Sequence, residues 1–272
     1  MLIAQISDMH IKANGRLAYG IVDTAGMLRA CIDHILDLDT QPDLILLTGD
    51  LVDYGRPEEY ALLQELLAPF TVPMYLVAGN HDERMALRHA FTGPRFDYLA
   101  QAGEFLQYAV DLGQIRLLVL DTVVPQEGRG KLCAQRLNWL DERLAEDARP
   151  TVIAMHHPPF ATGIAHMDAI GLEGAEALEC VLKKYTHVER VLCGHLHRSI
   201  QCRFGGTVAS TCPSPAHQVA LDLSADGPDC FVMEPPGHQL HHWHAGRLVT
   251  HTCVVGEYAG PYRFREGGLL ID

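Results

Sequence analysis

Five times along this chain an apolar run ends in a short turn loaded with Asp, Asn or His. The turns are Ile6-Ser7-Asp8-Met9-His10, Leu47-Thr48-Gly49-Asp50, Leu76-Val77-Ala78-Gly79-Asn80-His81-Asp82, Ala154-Met155-His156-His157 and Leu192-Cys193-Gly194-His195-Leu196-His197. Polar side chains at the end of a buried strand are costly unless each finds a partner. They make sense at the carboxyl edge of a sheet, where α/β folds place their sites. In Asp8-Met9-His10 and His195-Leu196-His197 the polar residues are two apart. Extended backbone turns such residues to one side, so both can reach one ion. Taken singly, each turn has a competing reading as a loop cap or a surface histidine. Five together do not read as accident.

The intervening segments supply a layered α/β chain. Leu2 to Ile6 reads as a buried strand. Thr24 reads as an N-cap, and Ala25, Leu28, Ile32, Ile35 and Leu36 recur at helical spacing over about 25–38. Leu44 to Leu47 returns as a strand, so the first unit is βαβ with parallel strands. Pro57 with Glu58 and Glu59 opens a second helix, as suits its first turn and dipole. Strand Met74 to Ala78 follows, then a helical stretch over 83–99 broken at Gly93-Pro94. A hairpin over 105–120, a helix over 135–144, a strand over 151–155, a helix within 168–184 and a strand over 190–193 complete the pattern. Beyond His197 the runs are short and separated by Gly, Pro and Asp, and they read as antiparallel strands of a second sheet. The loop 123–132, with Glu127, Arg129 and Lys131, is expected at the substrate entrance.

Composition narrows the partners. The 272 residues carry a formal net charge of −13. That argues against a surface for nucleic acid polymers, which needs a basic track. It leaves a small phosphate ester open, because bound cations invert the local sign. The eight cysteines are scattered with no CxxC, so reduced thiols in a cytoplasmic protein are expected. No basic region precedes the apolar start, and no apolar run is long enough for a membrane span, so neither a secretory leader nor a membrane partner is expected. Sixteen histidines are the outlier. His34, His89 and His187 lie in helical or surface contexts. The group His238, His241, His242 and His244 reads first as solvated surface or interface, with a second metal site as the alternative.

The order Asp-x-His, Gly-Asp, Gly-Asn-His-Asp, His, Gly-His-x-His resembles the calcineurin-like metallophosphoesterase superfamily from Ile6 to His197. Tyr54-Gly55-Arg56-Pro57-Glu58-Glu59-Tyr60, Met155-His156-His157-Pro158-Pro159, Met167-Asp168 and Ala259-Gly260-Pro261 resemble its class III cyclic-nucleotide phosphodiesterase branch, and within it the bacterial glycerophosphodiesterases. The resemblance implies an αββα sandwich of two sheets, with a catalytic domain over 1–225. A C-terminal cap or oligomerisation segment over 226–272 is left free to return to that domain. It implies two divalent or trivalent transition-metal ions (Fe, Mn, Co or Zn). Asp8, His10 and His197 would hold one, Asn80, His156 and His195 the other, and Asp50 would bridge both. His81 and His217 would contact substrate and serve catalysis with Asp50, Asn80 would also lie against substrate, and Asp82 would orient a histidine from behind the ligands. The expected reaction is hydrolysis of a small phosphodiester, a glycerophosphodiester or 3′,5′-cyclic nucleotide, by attack of metal-bound hydroxide on phosphorus. A homo-oligomer is expected. The alternatives are a phosphomonoesterase or protein phosphatase of the same superfamily, and a non-catalytic metal-binding protein.

Overall fold

The computed structural model describes residues 1–271. Eleven strands form two sheets. They are β1 (Leu2–Ile6), β2 (Leu44–Thr48), β3 (Met74–Val77), β4 (Tyr108–Asp111), β5 (Arg116–Val119), β6 (Thr151–Ala154), β7 (Val188–Cys193), β8 (Gln201–Phe204), β9 (Thr207–Thr211), β10 (Gly237–His244) and β11 (Arg247–Val254). The first sheet has the order β11-β10-β1-β2-β3 and the second β8-β9-β7-β6-β5-β4. In the first, β1, β2 and β3 are parallel, joined by the helices Thr24–Leu36 and Pro57–Leu67. In the second, β5, β6, β7 and β9 are parallel.

Residue alternation shows why the sheets stack. Leu117 and Val119, Val152 and Ala154, and Leu192 pack into the same cluster as Ile3, Leu46 and Val77 of the first sheet. Their neighbours Leu118, Leu120, Ile153, Met155, Val191 and Cys193 face Leu137, Leu140, Leu178 and Leu182 of the helices Ala134–Glu146 and Ala175–Leu182. Strands apolar on both faces are what a sheet buried on both sides requires. The sandwich is therefore αββα, as the resemblance implies.

Some local expectations need correction. The first helix is capped by Asp23, which accepts from the Gly26 N–H at 2.9 Å, not by Thr24. Thr24 instead donates to the His10 carbonyl at 3.1 Å. Of the strands after His197, Gln218–Val219 and Phe231–Val232 pair antiparallel in a small sheet of their own, but the longer ones do not. β8 and β9 are an antiparallel pair, but β9 runs parallel to β7 and so joins the existing second sheet. β10 pairs antiparallel with β1, so residues 237–254 belong to the first sheet. Among the described residues beyond Val254, the one strand pairing is that of 265–266 with 269–270, and Tyr258, Tyr262, Phe264, Leu269, Leu270 and Ile271 are all exposed.

Candidate metal centre

The carboxyl ends of β1, β2 and β3 meet those of β6 and β7 where the two sheets face each other. The turn after β1 runs beside the turn after β2, with the Asp8 N–H on the Gly49 carbonyl and the His10 N–H on the Asp50 carbonyl. Asp8, His10, Asp50, His195 and His197 all take positive φ, between 45° and 71°. Side chains with a Cβ rarely accept that conformation, and its concentration here marks a site the surrounding fold over-determines. Close approach is secured by glycine. A Cβ on Gly79 would overlap Asp50, and one on Gly194 would overlap Ser7 and Asp8.

Hydrogen bonds fix which ring nitrogens remain free. His10 Nδ1 donates to Asp53 Oδ1 at 3.2 Å, and His197 Nδ1 donates to the His217 carbonyl at 3.0 Å. Both Nε2 atoms are left as bare lone pairs, and they face each other at 3.2 Å. Asp50 Oδ2 lies 3.6 Å from His10 Nε2, and Asp8 Oδ1 lies 3.8 Å from His197 Nε2. The second group repeats the arrangement. His156 Nδ1 donates to the Thr48 carbonyl at 2.9 Å, so its Nε2 is the nitrogen turned to the site. That atom faces Asn80 Oδ1 at 3.0 Å and Asp50 Oδ2 at 3.4 Å. His195 Nδ1 lies 3.1 Å from the same Asn80 oxygen, and its Nε2 is buried without a partner. Acceptors converging on acceptors repel unless cations lie among them, so the donor set fits metal ions. Asp50 Oδ2 stands between the two groups, while its Oδ1 accepts from the His81 N–H at 2.9 Å.

The protonation of the metal-free protein tells the same story. Burial opposes charge on His156, yet Asp50 beside it holds its pKa up at about 9. Burial also opposes the Asp50 carboxylate, but His156 and His81 keep its pKa well below the usual range. Burial pushes Asp8 up to about 6 against the pull of His156. His156 thus carries its proton toward Asp50, whereas burial and neighbouring histidines push His195 and His197 well below the usual range and keep those two rings neutral.

All seven expected ligands converge. His81 lines the cavity beside them. Its Nδ1 donates to the Asp53 carbonyl at 2.8 Å, which leaves Nε2 for whatever occupies the cavity. His217 lies with its ring 4.6 Å from that of His197 and with Nδ1 buried and unpartnered; burial pushes its pKa down to about 4. Asp82 departs from expectation. It contacts no histidine but accepts from the Gly79 and Leu51 N–H groups and the Tyr60 hydroxyl, so it holds the turn. The carboxylate that orients a histidine is Asp53, which His10 and Lys12 hold at a pKa of about 2 although burial works against its charge. Its position three residues after Asp50 was the available signal.

His157, beside the ligand candidate His156, has both nitrogens engaged, accepting from the Thr122 hydroxyl at 2.8 Å and donating to the Gly128 carbonyl at 3.0 Å. The loop 123–132, expected at the entrance, does not line this cavity of about 380 Å³. The wall opposite the ligands is Tyr19, Met167, Ile170, Val219 and Phe231, with Asp229 at the mouth. Of these, Met167 alone falls within a motif that the sequence singles out, Met167-Asp168. No lysine or arginine lines the cavity among the described residues.

The sequence profile of the family described as Calcineurin-like phosphoesterase matches residues 1–199. A probable glycerophosphodiester phosphodiesterase of Arcobacter nitrofigilis is 40% identical over 276 residues, covering all of both chains. A probable cyclic nucleotide phosphodiesterase of Rhodopseudomonas palustris is 34% identical and covers 96% of this chain and 94% of its own. Among solved structures, a dimetal phosphatase from Danio rerio aligns with a TM-score of 0.65 at 17% identity, covering 94% of this chain and 99% of that one, a likeness of fold.

Proposed function

The chain belongs to the calcineurin-like phosphoesterase family, and on that premise we propose that it is a metal-dependent hydrolase of small phosphodiesters. One observation carries the reading: imidazole nitrogens, an amide oxygen and carboxylate oxygens from both sheets converge at 3.0–3.8 Å, with the Nδ1 atoms of His10, His156 and His197 spent on outer acceptors and their Nε2 atoms turned inward. Asp8, His10 and His197 would hold one ion, Asn80, His156 and His195 the other, and Asp50 would serve both. Mixed oxygen and nitrogen donors suit Fe, Mn, Co or Zn. Such a pair, when bound, polarises a phosphoryl oxygen and lowers the pKa of a water molecule.

The protein's own groups do the rest. With Nδ1–H spent on a backbone carbonyl, His81 Nε2 holds or delivers a proton at the phosphate or the leaving alcohol. His217 lines the same cavity and would donate a ring N–H to a substrate oxygen. Asn80 places a neutral amide oxygen where a phosphodiester monoanion meets the site. A monoester dianion calls for fixed cations, but Arg84, the basic residue after the motif, is bound to Asp121 at 2.6 and 2.8 Å. That favours diesters over monoesters.

Between the two diester classes, the full-length likeness to a glycerophosphodiesterase favours a glycerophosphodiester. The cyclic nucleotide reading has its own support in Tyr19 and Phe231, whose rings lie 4.9 Å apart on the cavity wall and would stack on a base. Tyr19→Ala would then raise KM for cyclic AMP and not for a glycerophosphodiester. The exposed apolar residues after Val254 fit a homo-oligomer, dimer or higher, built through that segment; a monomer by light scattering would contradict this. A cytoplasmic location fits the eight unpaired cysteines. No described helix is long and apolar enough to cross a membrane. The deciding experiment compares bis(p-nitrophenyl) phosphate with p-nitrophenyl phosphate on chelated protein and after adding Mn²⁺, Co²⁺ or Zn²⁺. Metal-dependent turnover biased to the diester is expected. Monoester preference would favour a phosphatase, and no turnover with both metals bound would favour a binding protein.

A further inference from the structure

The candidate ligands come from two sheets, so the spacing of the sheets decides whether they converge. Strands from both sheets meet at one buried side chain just behind the centre. Gln5, on β1, donates from Nε2 to Thr48 Oγ1 at 2.9 Å and to the Cys193 carbonyl at 3.1 Å. Thr48 ends β2 and precedes Gly49-Asp50. Cys193 ends β7 and precedes Gly194-His195. One amide thus ties the two strands that deliver Asp8 and Asp50 to the strand of the other sheet that delivers His195 and His197.

The network extends outward and closes on itself. The Cys193 carbonyl can only accept, so the amide nitrogen faces it and Oε1 is turned toward His241. His241 must therefore carry its proton on Nε2, which donates to Gln5 Oε1 at 2.9 Å. Its Nδ1 then accepts from the Thr250 hydroxyl at 2.8 Å. Burial pushes the His241 pKa down to about 3, consistent with this neutral tautomer. Inward, the Thr48 carbonyl accepts from His156 Nδ1 at 2.9 Å. Gln5, Thr48, Cys193 and His241 are wholly buried. A buried polar network whose members are all satisfied is rigid and specifies one arrangement, whereas an apolar filling would tolerate several.

We propose that Gln5 and His241 are positioning residues that fix the spacing of the two sheets at the metal centre, and thereby hold the two groups of ligands at the separation a metal pair needs. The inference rests on the ligand assignment above. It also gives His241 a role as a buried tie between strands rather than as a ligand.

The test uses full-length protein stripped with chelator. Mn²⁺ binding is followed by titration calorimetry, spin coupling between bound ions by electron paramagnetic resonance, and folding by circular dichroism and thermal midpoint. Wild type is expected to bind two ions and show coupling. Gln5→Leu and His241→Phe are expected to weaken the second ion roughly 10-fold or more, the scale of lost support behind a metal ligand, and to lose the coupled signal. His241→Gln, which keeps an N–H donor, is expected to restore most of both. Should Gln5→Leu fail to fold, His241→Phe, which leaves Gln5's two donor bonds in place, decides the matter. Variants with a lowered thermal midpoint but wild-type affinity and coupling would make the pair ordinary core packing and overturn the inference alone. Wild type that binds no pair of ions would overturn the ligand assignment and this inference with it.

Discussion

This chain has two histidine-rich regions, and they are built on opposite principles. At the sheet ends, His10, His156 and His197 each commit Nδ1 to an acceptor and turn Nε2 to the site. On the C-terminal hairpin of β10 and β11, histidines are as dense, yet among the described residues no carboxylate joins them. His238 Nε2 meets His34 Nδ1 at 3.1 Å with its own Nδ1 unpartnered, and His241 has a donor on one nitrogen and an acceptor on the other. His242 and His244 stack at 5.2 Å on the exposed side of their strand. Histidine count is therefore no guide to a metal site. What separates the regions is whether carboxylates join the histidines and whether the supporting bonds leave lone pairs facing one another.

The sharpest way to break that contrast is Asp50→Asn. Asp50 Oδ2 stands near Nε2 of both His10 and His156, so the variant loses charge exactly where both groups meet. Diester turnover is expected to fall by roughly 10²–10³-fold or more, as when a group that stabilises charge in the transition state is removed. Turnover within a few-fold of wild type, with metal content full, would remove Asp50 from the machinery.

The hairpin should instead show itself in stability. Burial, helped by His34, pushes the His238 pKa down to about 4 from an ordinary value near 6.5. The folded state keeps it neutral, so its contribution is complete above pH 6.5 and is lost as pH falls toward 4. The loss should approach about 3 kcal/mol by linkage. Urea midpoints of chelated wild type and His238→Gln, compared from pH 7 to pH 4, should converge as pH falls. Parallel pH profiles would mean that His238 does not titrate as its burial requires.

Asp53→Asn sharpens the comparison from the other side. An asparagine can turn its N–H₂ toward His10 Nδ1, which leaves the ring proton on Nε2, the nitrogen that faces the site. Metal affinity is expected to drop roughly 10–100-fold with the fold intact, as for other partners that orient ligating histidines. Unchanged affinity by calorimetry would show that His10 needs no such partner.

Much of this was legible in the sequence. The strand ends announced themselves because apolar runs stop abruptly at Gly-Asp, Gly-Asn-His and Gly-His, where backbone freedom and ligand chemistry coincide. The αββα layering followed from the resemblance and agreed with strands apolar on both faces. What stayed hidden depends on tertiary partners. Asp53 and Asp82 are both carboxylates near a ligand, and only the fold shows that Asp82 holds backbone N–H groups while Asp53 holds His10. Gln5 is one polar residue in an apolar strand, and nothing local says that it spans two sheets. The aromatic wall of Tyr19 and Phe231 joins residues 212 positions apart, one in a turn and one on a two-residue strand too short to show periodicity.

The smallest expected effect is the most telling for the opening contrast. His242 and His244 are two apart on one strand, the same spacing as His195 and His197 and the same local case for a chelating pair. Here the spacing leads to solvent. The paired positions on β11 are Val249 and Arg247, so no carboxylate stands opposite them. His242→Ala with His244→Ala should leave two Mn²⁺ ions bound, change diester turnover less than about two-fold and move stability within about 0.5 kcal/mol, as for surface sites that touch nothing special. A third ion bound by wild type and lost in the double variant would break the contrast, because spacing alone would then suffice to make a site. Retention of both ions would mean that the spacing of His195 and His197 works only because Asp8 and Asn80 stand across from it.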